Sequence, residues 1–130
     1  MQTKKGFTLL EVSIVGVFAA LLVIIFFIQK ASIDAMNRDD DRRAAINAMY
    51  YALEEYFYPK YGYYPSEISD KNLPVVDPAL FTDPFKQLIG SEFSSYSYEP
   101  ANCNDKNECR EFILRAQTEK GDTYIKSGLH

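Results

Sequence analysis

Between Phe7 and Ile28 the chain reads FTLLEVSIVGVFAALLVIIFFI, an apolar run of about 22 residues. As a helix, a run of that length crosses the hydrocarbon core of a membrane with a little to spare. It exceeds the roughly 7–15 apolar residues of a secretory signal core, and no small-residue cleavage site follows it. The segment over residues 7–28 is therefore expected to stay with the mature chain as a membrane span. Lys4 and Lys5 precede it and no compact basic cluster follows closely, which sets the amino end toward the cytoplasm and the remainder outside.

One residue disturbs this run. Glu11 places a carboxylate near the start of the apolar segment, where an ionised acid is expensive and a plain anchor would not retain it. A cation brought to it would relieve the cost. Cutting the peptide bond after Gly6 would create one, the α-amino group of Phe7. A neighbouring copy displaced by about one helical turn would then bring its amine to Glu11. That contact would set register as well as neutralise charge. The alternative is a near-interface carboxylate that is solvated or protonated.

The segment KKGFTLLEVSIV resembles the type III signal of type IV prepilins and of type II secretion pseudopilins: a short basic leader ending in Gly, then an apolar helix with a Glu shortly after its start. The resemblance covers roughly the first quarter of the chain. It implies that residues 1–6 are a leader removed by a prepilin peptidase that recognises Lys4 and Lys5, with cleavage between Gly6 and Phe7. It further implies N-methylation of Phe7, an assembly role for Glu11, and extraction from the bacterial inner membrane into a helical homopolymer by an assembly platform and its ATPase. The expected function is a structural pilin serving adhesion, motility or DNA uptake. Its rivals are a pseudopilin of a secretion or DNA-uptake system, whose filament is periplasmic, and a single-pass membrane sensor or adaptor. Many members carry a helix-breaking proline near the position of Ile28. Here no proline occurs before Pro59, so the helix is expected to run on or to melt only near Gly16.

The remaining composition narrows the function classes. A net charge of −4 and a pI near 5.0 leave no counterion-release gain on DNA, so direct nucleic-acid binding by one copy is not expected. With His130 the only histidine, no nucleophile has a histidine partner, and Glu54 and Glu55 diverge on a helix; no catalytic function and no cofactor are expected. The spacing of Cys103 and Cys109 matches no zinc site. A disulfide in an oxidising compartment, worth roughly 2–2.5 kcal/mol by loop closure, is the preferred reading, with two separate buried thiols as the alternative. The loop between them carries Asp105, Asn107 and Glu108, oxygen donors that suit calcium but fit no EF-hand spacing; no metal is assigned.

After residue 28 the chain lacks Gly and Pro as far as Tyr58, so residues 29–58 are expected to continue the helix amphipathically. Ile46, Met49 or Tyr50, Leu53 and Phe57 mark its packing face. Asn37 to Arg43 reads as a water-exposed neck in which Asp39–Asp41 pair with Arg42 and Arg43 rather than gather a metal. Residues 59–92, rich in Pro, Gly, Asp and Ser, read as loop with short turns. Residues 93–130 read as three strands: FSSYSYEP with Tyr96 and Tyr98 on one face, CREFILRAQ with Phe112, Leu114 and Ala116 inward, and TYIK after an EKGD turn. The expected fold is α+β, a long N-terminal helix with a small antiparallel sheet on its second half. Seven tyrosines fall between Tyr50 and Tyr64. Packing explains them, and an exposed aromatic surface for glycans, adhesion or base stacking is the sharper alternative. On that alternative, serine at Tyr61, Tyr63 and Tyr64 is expected to leave filaments intact yet reduce adhesion.

Overall fold

A computed structural model describes residues 6–128 and residue 130. The chain divides into two units, Met1–Ala35 and Met36–His130. Helix α1 spans Leu9–Tyr51, is α-helical through Gly16 and Ile28, and is one of the features that make the fold α+β. In the first unit every described residue from 6 to 34 is exposed. This is the one helix among the described residues that is long and apolar enough to cross a membrane.

The second unit has its own core. Ala45, Ile46, Met49, Tyr50 and Leu53 project from the helix onto Phe112, Leu114 and Ala116 of the sheet, as their helical and alternating spacings require. After Tyr51 the helix widens into a π-helical stretch, Ala52–Phe57, and then closes as α2, Tyr58–Tyr61. Pro59 lies just past the π-helical stretch, in the last turn of a helical run that ends at Tyr61. Gly62 ends it in the left-handed conformation, φ 77°, with its N–H on the Tyr58 carbonyl at 2.7 Å.

Strands β2 (Tyr96–Ala101), β4 (Glu111–Gln117) and β5 (Thr123–Ser127) form an antiparallel meander in the order β2-β4-β5. Tyr98 lies opposite Leu114, and Ile125 opposite Arg115. A second, two-stranded ladder joins β1 (Tyr64–Pro65) to β3 (Glu108–Cys109), pairing Tyr64 with Cys109.

Three expectations are corrected here. The segment 59–92 is more than loop with short turns: α2 runs on to Tyr61 and Tyr64–Pro65 form β1, while Pro78–Phe81 is a short 3-10 turn capped by Asp77 accepting from the Ala79 N–H at 2.9 Å. The strand expected from Cys109 to Gln117 breaks at Arg110, whose N–H turns to the Ala101 carbonyl, so Cys109 belongs to the smaller ladder. The neck is not water-exposed throughout. Asp39 is 7% exposed and Arg42 2%. Arg42 donates to Asp39 Oδ1 at 2.7 Å, to Glu119 Oε1 at 3.1 Å and to Ser95 Oγ at 3.3 Å, while Asp39 also accepts from the Glu119 N–H at 2.9 Å. Two members of a charge run that looks solvated in sequence, Asp39 and Arg42, are thus buried and mutually satisfied, with Ser95, 53 positions from Arg42, and Glu119, 80 from Asp39, completing the cluster. Asp40 and Arg43 remain outside, 3.8 Å apart.

The tyrosines divide between the two expectations. Tyr64 is fully buried against Phe112, with its hydroxyl donating to Glu54 Oε1 at 2.8 Å. Serine at Tyr64 would therefore empty a core position and remove a buried hydrogen bond, which makes it unsuitable as a surface probe. Tyr61, 46% exposed, remains a surface residue.

Candidate functional site

The residues singled out at the chain's start gather at the N-terminus of α1. Gly6, Phe7 and Thr8 precede the helix, and Phe7 is 82% exposed. The Thr8 N–H donates to Glu11 Oε2 at 2.9 Å, and the Thr8 hydroxyl donates to the same oxygen at 3.1 Å. The Glu11 N–H in turn reaches Thr8 Oγ1 at 3.3 Å. This is a capping box: two of the four N–H groups that a helix start leaves open are answered reciprocally by side chains. The carboxylate is therefore bound within its own chain through Oε2. The signal Thr-x-x-Glu before an apolar run stands in the sequence, and a membrane-only reading of Glu11 passes over Thr8. Lys4 and Lys5 lie outside the described residues.

The cysteine pair forms a second feature. Cys103 and Cys109 are disulfide-bonded, S–S 2.00 Å, across six positions of sequence. Within their loop, Asn104 Oδ1 accepts from the N–H groups of Lys106 (2.9 Å) and Glu108 (3.0 Å), and its amide donates to Glu108 Oε2 at 2.7 Å. Two of the loop's oxygens are thus spent on the loop itself. Asn107 adopts φ 62°, a left-handed turn that asparagine tolerates. Among the described residues no three His, Cys, Asp or Glu side chains are grouped to hold a metal ion.

A third cluster forms around Asp83, inside the segment read as loop. Asp83, 3% exposed, accepts four hydrogen bonds: from the N–H groups of Phe85 and Gln87 on Oδ1, and from the N–H and hydroxyl of Ser95 on Oδ2, all between 2.9 and 3.0 Å. Burial alone would raise its carboxyl, but these four donors outweigh it and hold the group below the usual aspartate range. Ser95 hands the network on to Arg42, and Glu119 is held low by its bonds to Arg38 and then Arg42. The arrangement clasps the loop, the sheet and the helix segment of the second unit, and Asp39, Asp83 and Glu119 all accept hydrogen bonds within it.

Comparison with protein-family models, curated proteins and solved structures finds no match to the chain.

Proposed function

We propose that the chain is a filament subunit of the type IV pilin class, cut after Gly6, methylated at Phe7, and assembled through its apolar helix. One observation carries this reading: the apolar part of a long helix, in which every described residue up to position 34 is left exposed by its own chain, opened by a single carboxylate at Glu11. Apolar surface on that scale requires a cover, either lipid or copies of itself. Lipid serves the precursor in the inner membrane, and sister helices serve the polymer, where burial contributes at about 25 cal/mol per Å². Glu11 then sets the stagger. Oε2 is held by Thr8, and the Phe7 amine of a neighbour is taken by the other carboxylate oxygen. The second unit, with its separate core and disulfide, forms the outer surface, and no catalysis is involved.

The Asp83-Pro84-Phe85 turn is similar to the Asp-Pro-aromatic turn that precedes the sheet in pseudopilins, which supports a second reading, a pseudopilin that builds a short periplasmic filament. Electron microscopy of cells separates the two.

The test begins with the mature amino terminus. Purified protein should start at a methylated Phe7. Glu11→Ala should be processed and retained in the membrane yet assemble few filaments, and Glu11→Asp should assemble an intermediate number. A product that still starts at Met1, or wild-type filament numbers from Glu11→Ala, overturns the proposal.

A further inference from the structure

We propose that the cleft between the Tyr61–Tyr63 turn and the disulfide loop is a saccharide-binding site. Its volume is about 360 Å³, at the lower end of the range for small-molecule sites. One wall is aromatic. Gly62, in its left-handed conformation, turns the chain so that Tyr61 and Tyr63 lie 6.0 Å apart, and both rest on the buried ring of Phe57, at 4.5 and 5.7 Å. The other wall is polar, lined by Asn102, Asn104, Glu108 and Arg110. The disulfide closes the loop that supplies this wall, and the β1–β3 ladder, pairing Tyr64 with Cys109, ties the two walls together at their base. Both sides are thus fixed before any ligand arrives, which lowers the ordering cost of binding.

The chemistry of the walls selects the ligand. A pyranose ring has an apolar C–H face, which suits a tyrosine ring, and a rim of hydroxyls, which suits the acceptors that the loop's own bonds leave over, Asn102 Oδ1 and Glu108 Oε1. Among the described residues, no hydrogen bond or ion pair engages the Tyr63 hydroxyl or the Arg110 guanidinium. Arg110 is the one cation lining the cleft, so a sugar bearing a carboxylate is preferred over its neutral counterpart. A nucleic-acid strand also stacks on tyrosines, but it brings a phosphate with every nucleotide to a cleft with one lining cation and the acids Glu108, Asp105 and Glu111 in or near it in sequence, whereas a sugar can bring a single carboxylate to Arg110. The saccharide is the better fit. This site does not depend on whether the chain polymerises.

Detergent-solubilised full-length protein should be screened on an array of neutral and uronate-containing oligosaccharides, with a single-stranded oligonucleotide alongside. Titration of a binding sugar would then compare variants at exposed positions whose thermal melts match wild type. Tyr61→Ala should weaken binding roughly tenfold, and Tyr61→Phe should retain it. Arg110→Gln should remove the preference for the uronate-bearing sugar, also roughly tenfold, and leave the neutral sugar unchanged. The proposal is overturned if no saccharide binds, if Tyr61→Ala and Arg110→Gln bind as wild type, or if the oligonucleotide binds in preference to every sugar.

Discussion

Thr8 changes what Glu11 means. Read alone, Glu11 is an acid stranded in an apolar run, and only an external cation explains it. With Thr8 beside it, the same carboxylate completes the helix start, taking an N–H and a hydroxyl at once. The two roles are compatible because both donors use one oxygen. Removing the Thr8 hydroxyl should loosen the first turn without touching the apolar surface. Thr8→Val in detergent micelles should speed amide exchange at the first helical residues about fivefold, while Thr8→Ser should keep wild-type rates. Equal exchange in Thr8→Val and wild type would show that the hydroxyl contributes nothing to the helix start.

Among the elements, the Asp83 turn supplies a pH-dependent part of the fold. Its folded carboxyl titrates below the unfolded value, so its contribution is complete above the ordinary aspartate range and is lost as pH falls through the lower, folded value. Asp83→Asn would present an amide N–H₂ where the Ser95 donors or the Phe85 and Gln87 N–H groups now find an oxygen. At pH 7 the variant should lose about 2 kcal/mol by chemical denaturation. The gap from wild type should narrow progressively below about pH 4. A constant difference from pH 7 to pH 3 would show that charge on Asp83 is irrelevant to the clasp. Legibility in the sequence varied by element for physical reasons. Phe112, Leu114 and Ala116 alternate over a seven-residue strand, so both their face and their burial could be read directly. Tyr64 and Pro65 form a strand of two residues, too short to carry any period, and its partner Glu108–Cys109 comes only after the loop and β2. The π-helical stretch has no residue signature of its own, and the pattern around it is compatible with an ordinary helix. Asp39 and Arg42 were hidden because their burial depends on Glu119 and Ser95, which local periodicity cannot bring together.

The whole molecule is built under two sets of rules. The second unit contains a packed core, a disulfide and a buried polar network, whereas the described part of the first has exposed residues and one apolar helix. A fragment beginning at Met36 should therefore be soluble and monomeric by sedimentation and should melt cooperatively by circular dichroism. Precipitation of that fragment, or a melt without a transition, would show that residues before Met36 are needed for the core.

The first unit has one more property that follows from its exposure. Its large side chains, from Leu9 to Ile28, are bare on every side of the helix, with no polar stripe to mark a front and a back. A cylinder that is oily all round can spin about its own axis among similar cylinders at almost no change in contact free energy. In a polymer of such rods, hydrophobic attraction would set how closely they lie but not which way each one faces. That bearing falls to the few polar atoms at the tip of the rod and to the folded domain that each rod carries.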